Sequence, residues 1–425
     1  MKLNYKRTFF IGLAFLSISA FWQLYDSIIP LILKNTFGMG ETLTGAIMAL
    51  DNILAIFMLP LFGALSDKTD TRFGKRMPFI AAGTVFSVVF MMLIPYADRM
   101  LNFALFITAL GITLIAMGTY RSPAVALMPD LTPKQLRSKA NAIINLMGAV
   151  GYIFALAAIK LLVRKEANPD YTLVFALVAA LMVLSVLILI LTIKEKKLAA
   201  ELARQPHHFE EEDGGDKQVN EGSLPRDVKK SLLFILASIF LWFTAYNAVT
   251  TAYSRYAGEV WGLKGGDFAD SLMIAGIAAI LSYIPIGFIA SAIGRKKTII
   301  IGIIMMSVSY FCGFLFTSYS PWINGVFAVT GIGWSAINVN SYPMVVEMSR
   351  SGDIGKYTGY YYTFSMAAQI FTPIFSGFML ENISYRTLFP YAIIFSLLSL
   401  CTMIMVKHGD SRPPVKKAGI ELYDN

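Results

Sequence analysis

The chain has 425 residues, of which 56% are hydrophobic and only 15% charged, and its mean hydropathy is +0.61. A water-soluble domain carries roughly 25% charged residues, so this composition excludes an ordinary soluble globular protein and points to a chain that crosses a bilayer many times. The net charge of +9 would raise the question of nucleic acid in a soluble protein, but the placement of the charges answers it differently.

Apolar runs long enough to span a hydrocarbon core as helices follow one another along the chain. A helix satisfies its own backbone groups in lipid, so helical spans are expected. The pattern predicts twelve, at 8–33, 43–65, 77–97, 101–127, 141–163, 172–193, 231–254, 269–292, 298–317, 321–346, 357–380 and 387–406. The first follows Lys2, Lys6 and Arg7 and is too long for a signal peptide, so it reads as a retained span. Between spans six and seven lies a polar stretch with Pro206, Pro225 and several glycines, which reads as a linker. The expected organisation is a six-span half over 1–193, a linker over 194–230, a second six-span half over 231–406 and a tail over 407–425.

The two halves share a plan. The polar segment Gly63-Ala-Leu-Ser-Asp67 through Arg72-Phe-Gly74-Lys75-Arg76 follows span two, and a weaker copy, Gly287 through Ser291 and Gly294-Arg295-Lys296-Lys297, follows span eight. Gly74 and Gly294 are 220 positions apart, as are Pro123 and Pro343, and an offset of 221 brings Tyr25-Asp26 onto Tyr246-Asn247.

Of the 36 Lys and Arg residues, 27 fall in segments on one side of the predicted spans, eight on the other, and Arg121 lies inside a span. By the positive-inside rule both termini and the linker are expected in the cytoplasm, with the protein in the plasma (inner) membrane. The basic excess then faces anionic lipid, and nucleic acid is not expected as a partner. Cys312 and Cys401 lie inside apolar runs and read as packing residues. His207-His208 before Glu210-Glu211-Glu212-Asp213 reads as a solvated charge run rather than a metal site. No nucleophile elbow, P-loop or HExxH motif is present, so no catalytic residue and no enzyme activity is expected.

Charges inside spans are costly and face a cavity or a partner. Asp26 in span one, Asp51 in span two and Arg121 in span four are therefore the candidates for ion coupling, by a buried carboxylate that takes up and releases a proton. A static structural pair is the competing reading. Polar and aromatic residues at helical spacing form a candidate sugar cradle: Trp22, Gln23 and Asp26, then Asn145, Tyr246, Asn247, Asn338, Tyr361 and Gln369. Sugars need hydrogen bonds at their hydroxyls and flat aromatic surface under the ring, although Asn, Ser and Gly also hold membrane helices together. At the basic turns, Asp67 with Arg72, Lys75 and Arg76, Asp130 with Arg137, and Glu347 with Arg350 and Lys356 read as ion-pair groups of a cytoplasmic gate.

The twelve spans, the six-plus-six repeat, the central loop and the Gly-x-x-x-Asp turn together resemble the major facilitator superfamily. More narrowly, Ser66-Asp67 through Arg72-Phe-Gly74-Lys75-Arg76-Met-Pro78-Phe79, and Pro123 with Ala126-Leu-Met-Pro129-Asp130-Leu-Thr132, Arg137 and Ala140-Asn-Ala142, resemble plant sucrose transporters and the glycoside–pentoside–hexuronide cation symporters. Two family positions differ. The fourth-span arginine of sucrose transporters falls on Val125, four residues from Arg121, and the second-span aspartates of melibiose-type sodium symporters fall on Ala55 and Leu59. The resemblance implies an all-α fold of two six-helix halves, each made of two inverted three-helix units around a central site, in a protein that works as a monomer. It also implies alternating-access symport of a sugar or glycoside, sucrose- or maltose-like, with H+ as the coupling ion, Na+ as the alternative and no other cofactor. The competing functions are proton-antiport export of amphipathic compounds, uncoupled sugar diffusion and a membrane sensor that transports nothing.

Overall fold

The computed structural model describes residues 3–133, 136–166, 168–203, 226–348 and 354–410. Twelve long helices and one short one account for nearly all of them. The first group is α1 (Tyr5–Asn35), α2 (Glu41–Lys68), α3 (Met77–Arg99), α4 (Phe103–Asp130), α5 (Arg137–Leu162) and α6 (Thr172–Thr192). The short α7 (Glu195–Ala203) follows. The second group is α8 (Arg226–Trp261), α9 (Ala269–Ile293), α10 (Arg295–Leu315), α11 (Trp322–Val346), α12 (Ile354–Asn382) and α13 (Leu388–Met405). Among the described residues eleven helices are long and apolar enough to cross a membrane. The remaining long helix, α11, has the length, but Asn324, Asn338, Asn340 and three glycines dilute its apolar character.

Polar capping sets several boundaries. The Asn4 side chain accepts from Arg7 N at 3.0 Å and Asn102 from Leu105 N at 3.0 Å, each satisfying an orphan donor of a first turn. The prolines inside α1, α2, α4, α9, α11 and α12 are tolerated because neighbouring helices and local adjustments re-satisfy the freed carbonyls. One boundary departs from expectation. The seventh span does not stop near residue 254 but continues to Trp261, so Arg255 is a buried helical residue and not a loop charge.

Within the first group α1 packs on α5 and α6, and α4 on α2 and α3. Within the second, α8 packs on α12 and α13, and α11 on α9 and α10. The groups meet along α2–α12, α5–α9 and α1–α8. The most interior helix is α1: 72% of its apolar stretch is buried against 17% for α9. That places Trp22 and Asp26 at the centre of the bundle and α9 at its rim.

We call the end where α1 begins and α13 finishes the near end, and the opposite one the far end. All the ion pairs found between described residues of the two groups lie at the far end, while one hydrogen bond below it, from the Tyr152 hydroxyl to the Leu272 carbonyl at 3.4 Å, joins α5 to α9. Arg255 Nε donates to Glu41 Oε2 at 2.6 Å, with both side chains at most 5% exposed. Lys34 Nζ lies 3.7 Å from Glu41 and 2.6 Å from Glu259, and donates to the Tyr385 hydroxyl at 2.6 Å. The Tyr385 hydroxyl in turn donates to Glu41. Across the α5–α9 contact, Lys160 bonds Asp267 at 2.9 Å and Asp270 at 2.6 Å, and Lys165 bonds Asp267 at 2.6 Å. The backbones approach closely here. A Cβ at Gly45 would collide with the Pro373 carbonyl, and one at Gly377 with the Glu41 carbonyl.

Candidate functional site: a central polar cavity

A cavity of about 240 Å³ lies between the two helix groups. It is walled by Trp22 and Asp26 of α1, Met48, Asp51 and Asn52 of α2, and Arg121 of α4. The second group contributes Asn247, Thr250 and Thr251 of α8 and Gln369 and Pro373 of α12. The volume is slightly below the roughly 300–1,000 Å³ of ordinary small-molecule sites, which suits a small solute. Asp51 is ten residues into α2, roughly 15 Å below the far end at 1.5 Å per residue, so the far-end contacts form a roof over the cavity.

Local packing fixes the walls. The Tyr25 hydroxyl donates to the Met48 carbonyl at 3.2 Å, tying α1 to α2 beside the cavity. Ser122 donates to the Leu59 carbonyl at 2.8 Å, tying α4 to α2 beside Arg121. On the buried side of α1 the Tyr120 hydroxyl donates to the Ala14 carbonyl at 3.0 Å. These bonds hold α1, α2 and α4 in a register that brings three charges from three helices to one chamber. Asn52 donates to Asp51 Oδ1 at 2.7 Å. Asp26 has no hydrogen-bond partner among the described residues. Arg121 likewise makes no hydrogen bond or ion pair with them, and its guanidinium lies 5.6 Å from the centre of the Trp22 ring.

Six of the sequence candidates thus line one cavity: Trp22, Asp26, Asp51, Arg121, Asn247 and Gln369. Five others lie elsewhere. Gln23 donates along its own helix to Ser27 at 2.7 Å and is buried. Asn145 is exposed on α5. The Tyr246 ring stacks on Trp334 at 3.8 Å between centroids and 5° between planes. Asn338 sits beside Tyr283, and Tyr361 shares a hydrogen bond of 3.2 Å with Ser341. Tyr246 and Tyr361 thus make contacts within the second helix group, the helix-gluing role that competed with sugar binding, while Asn338 is exposed. The sequence reading passed over Met48, Asn52, Thr251 and Pro373 as site residues. Asn52 adjoins Asp51 and Thr251 lies one helical turn from Asn247, and the widening of the polar arc there was the available signal.

The near-end candidates form clusters within each group. Arg76 is 4% exposed. Its guanidinium binds Asp67, Asp130 Oδ2 at 2.9 Å, Ser66 and the Gly63 carbonyl at 3.2 Å. Lys75 reaches Asp130 at 3.1 Å and Asp67 at 3.8 Å. Arg72 stands outside this cluster, over the Phe73 ring at 4.6 Å. Arg137 donates to the Pro129 carbonyl at 2.9 Å and the Thr132 carbonyl at 3.3 Å instead of reaching Asp130. Glu347 pairs with Arg295. Arg350 and the His207-His208 run lie outside the described residues.

Two carboxylates that the sequence reading did not single out complete these turns. Glu195, at the start of α7, accepts from the backbone N–H groups of Lys75, Arg76 and Met77 at 3.0–3.1 Å and is 2% exposed. Asp410, just past α13, accepts from Arg295 N at 2.7 Å and Lys296 N at 3.3 Å. Each carboxylate sits on the positive end of the third helix of its group. Gly74 (φ +117°) and Gly294 (φ +96°) turn the chain there, and a Cβ on either would run into the carboxylate. The 220-residue glycine repeat therefore encodes a pair of carboxylate receptors.

The Major Facilitator Superfamily profile matches residues 11–284 and 268–422. The chain belongs to the Major Facilitator Superfamily. Among curated proteins it is 25% identical over 156 residues to the sucrose transport protein SUC3 of Arabidopsis thaliana, covering 32% of the chain and 26% of that protein. It is 31% identical over 109 residues to the uncharacterized symporter sll1374 of Synechocystis, covering 24% and 20%. The matched segments thus span about a quarter or less of the length of these relatives. Among solved superfamily structures, the nucleoside transporter NupG superposes with a TM-score of 0.66 at 18% identity, covering 96% of the chain and all of NupG. The peptide transporter POT, solved as a point mutant in complex with sulfate, gives 0.71 at 10%, covering 96% and 97%. The xylose transporter XylE of E. coli gives 0.62 at 14%, covering 92% and 94%. At these identities the structures establish the twelve-helix fold alone.

Proposed function

We propose that this superfamily member takes up a sugar or glycoside together with a proton, by alternating access to the central cavity. The observation that carries this is Asp26: a carboxyl on the most buried helix, lining a cavity, without a hydrogen bond among the described residues, and sharing that cavity with Asp51 and Arg121. An intramembrane carboxyl that faces a cavity and has no fixed partner is the kind of group that relays protons in transporters, and its repeat counterpart, Asn247, faces the same chamber without being ionisable. Coupling then follows from linkage. Proton and solute bind in one small space, and each raises the affinity for the other by the same factor. The matched segment of a sucrose transport protein supports a sugar over the other solutes of the superfamily.

On this reading the near end faces the cytoplasm, in line with the Lys and Arg asymmetry, and the protein lies as a monomer in the plasma membrane. The arrangement of helices is the state closed to the outside by the far-end roof. Asp67, Lys75, Arg76 and Asp130 brace the first half, and with Arg72, Arg137 and Glu347 they form the surface on which the near end closes. The test is solute-induced alkalinisation outside proteoliposomes, screened over mono- and disaccharides and glycosides. The expected result is a pH response to one of them that Asp26→Asn abolishes, together with uphill accumulation. Accumulation unchanged in Asp26→Asn at equal protein content overturns the coupling role. A solute that equilibrates with no pH change replaces symport with uniport or sodium coupling.

A further inference from the structure

Donors outnumber acceptors around the central cavity. Trp22 Nε1 and Asn247 Nδ2 are both sealed from solvent and unpaired among the described residues. Arg121 makes no hydrogen bond or ion pair with them, although a guanidinium carries five N–H groups, and it lies 5.6 Å from the centre of the Trp22 ring. A buried donor without an acceptor forfeits its hydration for nothing, and a bound ion is one of the explanations such groups have in native proteins. The resident carboxylates do not supply the acceptor. Asp51 is engaged by Asn52 at 2.7 Å, and neither Asp51 nor Asp26 comes within ion-pair distance of Arg121.

Charge sharpens the point. Asp26, Asp51 and Arg121 are the only formally charged residues among those that wall the cavity. With both aspartates ionised, two carboxylates face one guanidinium and an anion is repelled. With both loaded by protons, as the proposed symport has it, Arg121 is left as the single uncompensated charge. Water satisfies an indole or an amide but does not cancel a charge, and a neutral sugar does not either. An unpaired charge in low dielectric is costly. A monatomic anion cancels it, accepts donors from any direction and takes up a small part of the 240 Å³ chamber, which leaves Thr250, Thr251 and Gln369 for the solute. A divalent polyatomic anion brings one charge too many.

We infer that Arg121, with the Trp22 indole and the Asn247 amide, forms a chloride site that fills when the cavity aspartates carry protons. This rests on the proton-symport reading and adds a third ligand to it. Chloride and proton then raise each other's affinity by the same factor, so chloride binding tightens as pH falls. Asp26 on α1 and Asp51 on α2 are the groups that titrate. The tyrosines that face them and Arg121, which are Tyr25, Tyr152 and Tyr362, are neutral from acid to neutral pH.

The experiment is thermal unfolding of the purified full-length protein in nanodiscs with no sugar present, so its outcome is read apart from the symport test. Potassium chloride replaces potassium gluconate at constant ionic strength, with bromide and sulfate as further arms, from neutral to acid pH. The expected result is a midpoint that rises saturably with chloride and bromide and not with sulfate, with half-saturating chloride falling as the pH falls. Arg121→Gln should raise half-saturating chloride about tenfold or more, the scale of one charge-assisted hydrogen bond. Trp22→Phe keeps a ring, loses the indole N–H and should raise it less. The wild-type anion series decides the matter even if the variants fail to fold. A midpoint that ignores the identity of the anion overturns the inference. A chloride response that Arg121→Gln leaves unchanged also overturns it, by placing the ion outside the cavity. A sulfate response stronger than that of chloride overturns it in favour of a polyatomic anion. Chloride binding that does not tighten in acid overturns the pairing of anion with proton, and the inference with it, while sugar symport keeps its own test in proteoliposomes.

Discussion

The two ends of the bundle are both rich in ion pairs, yet they are built to opposite purposes. At the far end Glu41–Arg255, Lys34–Glu259 and Lys160–Asp267 join one helix group to the other. At the near end Arg76–Asp67, Arg76–Asp130 and Arg295–Glu347 stay within one group. Pairs of the first kind must break for the groups to part, while pairs of the second kind can survive any movement that treats each group as a rigid body. The difference separates contacts that set a conformational equilibrium from contacts that set the stability of each half. It also says that what a charge cluster does in a given arrangement depends on which bodies its partners belong to.

The sharpest way to break this comparison is to remove the buried far-end pair. Removing one partner of a buried ion pair costs up to about 3–5 kcal/mol when the other charge is left uncompensated, and here Lys34 and Tyr385 stay on Glu41 and reduce that cost. Here that cost falls on the closed far end alone, because in the parted state both groups regain water. Arg255→Gln should therefore favour opening of the far end by about tenfold or more. A cysteine at Thr251, in a background with Cys312 and Cys401 replaced, reports it through labelling by a membrane-impermeant thiol reagent from the far side. Gly45→Leu should act in the same direction by sterics, since α2 can no longer seat against the Pro373 carbonyl. Labelling unchanged in both variants would mean that these contacts are bystanders.

The near end should answer differently. Arg76→Gln removes the hub of four side-chain bonds, and Glu195→Gln removes the charge that caps α3 through three backbone N–H groups. Loss of a cap charge costs about 1 kcal/mol, and the Arg76 change more, because Asp67 and Asp130 lose their common partner. The expected outcome is a lower thermal midpoint for both variants, larger for Arg76→Gln, with far-side labelling of the Thr251 cysteine unaltered. A change in labelling without a change in midpoint would make the near-end cluster a conformational element after all.

Most of the fold was legible in the sequence, because the bilayer imposes a length and a polarity on every span. The twelve helices fall within a few residues of their expected places, and the exception, α8, overran because Arg255 looks like a loop charge until Glu41 is seen beside it. Glu41 and Arg255 are 214 positions apart, and no local pattern signals such a pairing. The cavity was legible in part for the same reason. A charge on an apolar helix must face something polar, which found Asp26, Asp51 and Arg121. An aromatic or an amide has no such obligation, so Tyr246 and Tyr361, which fit the pattern of a sugar cradle, stack on Trp334 and bond Ser341 within the second group. Glu195 and Asp410 escaped notice because a carboxylate that caps a distant helix looks, in sequence, like any charge in a linker or tail.

The smallest expected effect tests the comparison within the far end itself, between its buried and its open ion pairs. Burial alone would raise the carboxyl of Asp267, a loop residue, but Lys165 and Lys160, both bonded to it, outweigh that and hold it below its ordinary value of 3.8. A carboxyl lowered in the closed form stabilises that form fully above its ordinary value and loses the contribution as pH falls through the lowered one. The closed far end should therefore be insensitive to pH in the neutral range and loosen only in strong acid. Its pairs are partly open to solvent, so the contribution is about 0.2–1 kcal/mol and should shrink further with added salt. Far-side accessibility of the Thr251 cysteine, read by a pH-independent alkylating probe from neutral to acid pH, should rise at the acid end. Asp267→Asn should flatten that rise and leave a small, constant increase at neutral pH. A rise that persists unchanged in Asp267→Asn would place the acid-sensitive contact elsewhere in the roof, with Glu41 the remaining carboxylate that bridges the two groups through a buried pair. The hierarchy then follows from burial: Arg255 and Glu41 set whether the far end closes, and the lysine–aspartate cluster trims how firmly.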